Sequence, residues 1–322
     1  MLLSLLLALP KYAMNFDLKP EKLHRQNIPT ARLPSGTVIE IPIFSYEAKK
    51  EGPTMLLMAG MHGDEINGVE IMRRIIAQKL YQVDAGRVIM IPVFNVFGFI
   101  NFSREVPDGK DVNRSFPGTK NGSLASQFAH FLMQEIVPHI DYGIDFHTGG
   151  KLINNYPQVR AMLDDEKSKG LANAFAAPFI INSPFRDKSL RKEAGKHGKS
   201  ILVYEAAESL KLRKHAIDEG LSGMKRVMKH LKMIADAPTP TREPITIIKS
   251  TWSRAGRAGL HYAQARNGAF VKKGDVLGVI SDPYGEYEKP MKASHDCYVL
   301  SINNNPVVNR GDALFHTGVV PS

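Results

Sequence analysis

"TMLLMAGMHGDEINGVE", residues 54–70, carries the reading of the fold. It opens on an apolar run, 54–59, of the length of one buried strand. Ala59-Gly60 ends the run, and His62, Asp64 and Glu65 follow within four residues. Beyond them Ile66, Val69, Met72, Ile75, Ile76 and Leu80 recur at helical spacing, with Asp64 placed to cap the helix. A hydrophobic core has no need of an imidazole and two carboxylates at the mouth of a buried strand, so this strand end is a place to look for chemistry.

Working outward, residues 87–94 (RVIMIPVF) read as the next strand, and strand–helix–strand implies a parallel pair joined by a crossover. Residues 95–122 are loop-like, rich in Asn, Gly and Pro. A helix over about 123–136 leads to a strand at 141–146 (DYGIDF), and a strand at 201–205 (ILVYE) precedes a helical stretch to about 233. Short buried strands alternating with helices argue for an α/β sheet layered by helices. DAPTPTREP, 236–244, carries three prolines and reads as a linker. Past it, short alternating strands are separated by Gly and Asn turns. The expected organisation is therefore a catalytic domain over 1–235, a linker over 236–244 and an all-β domain over 245–322.

A chain of 322 residues with 43% apolar and 23% charged residues can bury one large domain and a small one. Its single cysteine, Cys297, excludes an internal disulfide and a cysteine-held metal, and fits a reducing compartment. The net charge of +10 is spread along the chain without an Arg/Lys stripe or a nucleic-acid motif, which favours a small anionic substrate over nucleic acid. MLLSLLLALP, 1–10, looks like the apolar part of a signal peptide but lacks a basic start and a clear cleavage site. It is too short to span a bilayer. The expectation is a cytoplasmic protein without a membrane partner, with Met14 as a candidate start, a weak secretion signal as the alternative and homo-oligomerisation left open.

Open α/β sheets place their sites at the carboxyl ends of strands. His62 and Glu65 follow strand 54–59; Arg104, Asn113 and Arg114 follow strand 87–94; His147 follows strand 141–146; Glu205 ends strand 201–205. Two imidazoles and one carboxylate, His62, His147 and Glu65, suit one catalytic Zn2+ per chain with a position left open. The bland alternative has His62 capping the helix and Glu65 paired with a nearby base. Asp64 reads as an N-cap or a partner of a ligand histidine, and Asp145, two before His147, as a supporting acid or an ordinary strand-end one. Glu205 is the candidate to carry a proton from water to a leaving amine, with Glu208 its rival; Glu205 is preferred because it directly follows the buried run. Arg104 suits a developing oxyanion, and Asn113 with Arg114 a substrate carboxylate, unless these arginines simply pair with Asp108 or Asp111.

G-x-H-G-D-E at 60–65, N-R-S-F-P-G at 113–118, D-F-H at 145–147 and the strand-end Glu205 occur in this order. Together they resemble the succinylglutamate desuccinylase/aspartoacylase family of the wider zinc carboxypeptidase fold, from about residue 35 to the end. The resemblance implies His62, Glu65 and His147 as zinc ligands, Glu205 as general base and acid, Arg104 at the oxyanion, and Asn113 with Arg114 on a substrate carboxylate. The implied reaction is hydrolysis of an N-acyl amide on a small amino acid; the alternative is a zinc carboxypeptidase acting on short peptides. Ala206-Ala207 departs from the glycine that many relatives carry after the catalytic Glu. In the C-terminal part, V-x-x-G-D-x-L-x-x-I at 271–280 resembles the biotinyl/lipoyl hammerhead. Its expected hairpin tip, Asp282 to Glu286, has no lysine, and Lys292 falls in the returning strand, so a hammerhead-like domain without a prosthetic group is expected. His295 and His316 are further candidate ligands, and Cys297 a packed small residue.

Overall fold

A computed structural model describes residues 14–15, 18–32 and 35–320. The MLLSLLLALP stretch lies outside the described residues. The strands of the first part are β1 (His24–Arg32), β2 (Val38–Glu47), β3 (Lys50–Ala59), β4 (Ala85–Ile91), β5 (Tyr142–Gly149), β6 (Ile153–Ala161), β7 (Phe179–Asn182) and β8 (Ser200–Glu208). Its helices are α1 (Ile66–Ala77), α2 (Val96–Asn101), α3 (Leu124–Phe131), α4 (Glu166–Phe175), α5 (Leu190–Lys196) and α6 (Lys214–His230). The strand order is β1-β2-β4-β3-β5-β8-β6. The four central strands, β4, β3, β5 and β8, are parallel, and β2 and β6 flank them antiparallel.

Side-chain alternation explains why the central strands read as unbroken apolar runs. Met55, Leu57 and Ala59 of β3 face one core with α1, α4 and α6, while Leu56 and Met58 face a second with α3 and α5. The expected α/β sheet layered by helices is the observed one. The antiparallel edges were not read from the sequence. β1 and β2 carry prolines and polar residues, and β6 (INNYPQVRA) has an apolar content too low to announce a strand.

Residues 236–244 carry no helix or strand. Beyond them lie β9 (Ile245–Ile247), β10 (Lys249–Arg254), β11 (Gly259–Ala263), β12 (Phe270–Val271), β13 (Val276–Ser281), β14 (Glu288–Lys292), β15 (Cys297–Asn303), β16 (Val307–Val308) and β17 (Ala313–Val319). All are β, as the turn spacing implies. β11, β13, β14 and β16 form a separate four-stranded sheet. β15, β17 and β10 instead continue the central sheet, because β15 pairs with β6. Leu277 and Ile280 of the small sheet pack with Val299, Leu314 and Phe315 of the large one. Residues 282–287 join β13 to β14, and Lys292 lies in β14, so the hairpin tip has no lysine. Cys297 is buried in this core. Among the described residues no helix is long and apolar enough to cross a membrane.

Candidate active site

The glycines of the opening stretch fix the path of the chain through the site. Gly60 turns the chain out of β3 at φ +65°, a conformation that costs a side-chain-bearing residue about 1–2 kcal/mol. A Cβ on Gly63 would lie 1.8 Å from the carbonyl carbon of Gly98 in α2, so only glycine allows that approach. The loop then delivers His62 and Glu65 to the carboxyl end of β3. β5 and β8 run parallel beside it, with His147 and Glu205 as direct register partners on one face of the sheet.

Helix α1 starts at Ile66 with Glu65, not Asp64, at the N-cap position, and neither carboxylate caps it. The expected capping role of Asp64 is thus incorrect. Glu65 is drawn instead to two histidines: its Oε1 lies 2.8 Å from His62 Nδ1 and its Oε2 2.7 Å from His147 Nδ1. The backbone N–H of Thr148 donates to the same Oε2 at 3.1 Å. The outer nitrogens are held in turn. His62 Nε2 is 3.2 Å from Asp111 Oδ1, and His147 Nε2 is 2.7 Å from Asp145 Oδ2. Asp145 therefore supports a candidate ligand, one of the two roles its position on the strand face allowed, and Asp111 is the outer carboxylate on His62, the role open to Asp64 as the alternative to capping.

Burial opposes charge on both imidazoles, yet their carboxylates prevail. Glu65 and Asp111 raise the pKa of His62, and Asp145 and Glu65 hold His147 well above the ordinary value. Burial likewise opposes ionisation of Glu65, and the two imidazoles nevertheless keep it well below the carboxylate range. This donor set fits a divalent cation. One atom each from His62, Glu65 and His147 lie within 4.8 Å of one another, and all three side chains are buried. Both rings turn Nδ1 inward and Nε2 to an outer carboxylate, the arrangement that orients metal-binding histidines. With neutral imidazoles, the carboxylates of Glu65, Asp111 and Asp145 outnumber the Arg104 guanidinium beside them, so the group carries the negative charge that a divalent cation needs.

A cavity of about 410 Å³ gathers His62, Glu65, His147, Arg104, Asn113, Arg114 and Glu205, every site residue picked from the sequence. Arg104 is gripped by Asp111 Oδ2 through Nε (3.1 Å) and one terminal nitrogen (2.8 Å). Its other terminal nitrogen lies 3.3 Å from Glu65 Oε1. Asn113 Oδ1 accepts from the backbone N–H of Leu190 at 3.0 Å, which commits the carbonyl end of the amide and leaves its NH₂ end free to donate. Arg114 donates to the Asn113 carbonyl, and among the described residues it forms no ion pair. Its pKa is lowered by burial, with Arg186 and Arg104 adding to the effect against Asp111.

Glu205 Oε2 accepts from Asn155 Nδ2 at 2.6 Å and pairs with Arg160 at 3.1 Å. Glu208 does not line the cavity. It accepts from Asn304 at 2.9 Å and pairs with Lys211 at 2.6 Å. The register between β5 and β8 slips by one residue after Glu205, with Ala207 at φ +66°, so Glu208 pairs with Gly149 rather than standing beside His147.

Sequence reading missed Asn155, Arg160, Arg186, Arg191 and Trp252, which also line the cavity. Among 42 lysines and arginines nothing in the sequence singles out these three. Arg191 is buried, with one terminal nitrogen bonded to Ser183 and Pro184, and burial together with Arg160 pushes its pKa down to about 10. Trp252 comes from β10 and stacks on His316 with ring centroids 4.9 Å apart. Burial pushes His316 down to about 3. His295 is half-buried and hydrogen-bonded to Ser294, and neither histidine joins the His62–Glu65–His147 group.

Residues 51–231, more than half of the chain, match the succinylglutamate desuccinylase/aspartoacylase catalytic domain. A stretch of 137 residues is 35% identical to the N-alpha-acetyl-L-2,4-diaminobutyric acid deacetylase of Halomonas elongata; it covers 41% of this chain and only 40% of that protein's length. The fold is similar to a succinylglutamate desuccinylase/aspartoacylase from Rhodobacter sphaeroides, with a TM-score of 0.84 and 27% identity over 96% of this chain and 98% of that one. The product-bound ectoine utilization protein EutE (DoeB) from Ruegeria pomeroyi shares the fold at a TM-score of 0.82 and 23% identity, over 94% of this chain and 97% of that one.

Proposed function

Because this chain belongs to the succinylglutamate desuccinylase/aspartoacylase family, we propose that it is a zinc-dependent deacylase that hydrolyses the amide bond of a small N-acylated amino acid. The observation that carries this reading is the pairing of Glu205 with His147 across β5 and β8, over the cavity that also holds His62, Glu65 and Arg104. Zinc held by His62, Glu65 and His147 would polarise the acyl carbonyl and acidify a water. Glu205 takes the proton of the attacking water and passes it to the leaving nitrogen, so that the C–N bond breaks to a carboxylic acid and a free amine. The hydrogen bond from Asn155 and the ion pair with Arg160 both fall on its Oε2, which leaves Oε1 for this work. Arg104, fixed by Asp111, donates to the carbonyl oxygen as negative charge develops there.

Arg114 and the Asn113 NH₂ group bind the carboxylate of the amino acid. Five guanidinium groups against two carboxylates in the cavity wall favour an anionic substrate. The activity named for the Halomonas relative makes acetyl the acyl group to test first. A cytoplasmic location fits the lone buried thiol of Cys297. The test is a screen of the purified zinc-loaded protein on N-acetyl, N-succinyl and N-formyl amino acids beside short peptides. Amine release from at least one N-acyl amino acid is expected. Cleavage of peptide C-termini with none of the N-acyl amino acids turned over would overturn the reading in favour of a carboxypeptidase.

A further inference from the structure

Besides placing Trp252 in the cavity wall, the C-terminal β region reaches Glu205 through a chain of two hydrogen bonds. β15 lies antiparallel to β6 with Ser301 opposite Asn155. The Ser301 hydroxyl donates to Asn155 Oδ1 at 2.6 Å, and Asn155 Nδ2 donates to Glu205 Oε2 at 2.6 Å. Ser301 is fully buried and Asn155 is 2% exposed, so water does not compete for either group. We propose that Ser301 and Asn155 are positioning residues for Glu205: the serine hydroxyl fixes the orientation of the amide, and the amide fixes the carboxylate. This rests on the reading of Glu205 as the proton carrier.

The chemistry of a primary amide makes the serine decisive. The two ends of the Asn155 side chain have nearly the same shape but opposite hydrogen-bonding character. Turned the other way, Oδ1 would meet a carboxylate oxygen at hydrogen-bond distance, acceptor against acceptor. Ser301 stabilises the productive orientation because it alone supplies a donor to Oδ1 among the described residues. Without that hydroxyl the amide carbonyl is buried with no partner, and the group is driven to seek another arrangement. Arg160 does not replace the amide: it forms an ion pair with the same Oε2 at 3.1 Å, so loss of the amide leaves that single contact to hold the carboxylate. A general base works when its oxygen stays within hydrogen-bond reach of the proton it takes, so a loosened carboxylate slows proton transfer while leaving substrate binding to Asn113 and Arg114.

The experiment compares Ser301→Ala, Ser301→Thr and Ser301→Val, each also combined with Glu205→Gln, on the N-acyl amino acid turned over fastest in the screen above. Ser301→Ala is expected to lower kcat about tenfold with KM within about twofold. In the Glu205→Gln background the same change should have no further effect on kcat, because the serine acts through the carboxylate. Thr and Val have the same shape in this buried place, so a higher kcat for Ser301→Thr than for Ser301→Val isolates the hydroxyl from packing. In protein carrying 15N-labelled asparagine, the Nδ2 protons of Asn155 should shift in Ser301→Val and keep their position in Ser301→Thr, a readout that needs no substrate. Equal kcat for the Thr and Val variants, or full additivity with Glu205→Gln, would overturn the positioning role while leaving Glu205 as proton carrier. Near-normal activity of Glu205→Gln alone would remove the reading of Glu205 itself, and this inference with it.

Discussion

Replacing Glu205 by Gln separates the two carboxylates of the β8 end. The amide keeps the size of the side chain and an oxygen to accept from Asn155 at the position now 2.6 Å away. It cannot take a proton. Loss of a general base of this kind lowers kcat by about 10²–10⁴-fold, or roughly 3–5 kcal/mol of barrier. Zinc content should not change, since Glu205 is outside the proposed ligand group of His62, Glu65 and His147. Glu208→Gln serves as the control. It lies outside the cavity wall and keeps an acceptor for Asn304, while losing its ion pair with the half-exposed Lys211. We expect a cost of about 1 kcal/mol in stability at most, and a kcat within about threefold of the parent. Steady-state kinetics, metal analysis and denaturant unfolding on the same preparations decide the matter. A mild Glu205→Gln beside a crippled Glu208→Gln would refute the assignment.

Arg114→Ala should erase a preference for substrates with a free α-carboxylate. In the parent, masking that group as an amide should lower kcat/KM by about 10²-fold, since a buried charge-assisted contact is worth about 2–5 kcal/mol, and equal turnover of acid and amide would remove the clamp. His147→Ala should lose most of the zinc measured by elemental analysis. Zinc uptake by the parent should release protons and strengthen with pH, because the raised pKa values of His62 and His147 mean that protons must leave both rings; calorimetry in two buffers of different ionisation enthalpy tests this, and a buffer-independent heat would contradict it. Asp111→Asn should weaken zinc binding about 10–100-fold and also lower kcat, since Asp111 supports both His62 and Arg104; loss of only one of the two would show that the supports are independent. Glu70 is lowered to about 2 from its ordinary 4.5, chiefly by its hydrogen bond to Arg73 and also by Arg74. Its contribution to stability is present above pH 4.5 and lost as pH falls toward 2, so Glu70→Gln should flatten the dependence of unfolding free energy on pH in that window.

What the sequence disclosed follows the physics of each residue's surroundings. The parallel strands were legible because both faces are buried, which forces an unbroken apolar run. β6 was not, because its buried residues Asn155 and Gln158 are polar and satisfy local demands rather than hydrophobic ones. His62 and Glu65 were legible because glycines and a strand end announce a turn that only a site would need. Asp64 was misread for a related reason. An aspartate just before a helical pattern is normally its cap, yet here the helix begins one residue later, with Glu65 at the N-cap position and its carboxylate turned to two histidines, and no local rule reports that.

Asp111 was invisible as a partner of His62 because 49 residues separate them, and only the folded loop after β4 brings them together. Its position nonetheless explains how one cavity holds two opposite demands. The proposed divalent cation would need negative charge around its ligands, and the proposed anionic substrate positive charge a few ångströms away. Asp111 offers one oxygen to the ring of His62 and the other to the guanidinium of Arg104, so both demands would meet on a single carboxylate without cancelling. Arg114 and Arg186 of the wall lie outside that ion pair, and their charge would serve what enters the cavity.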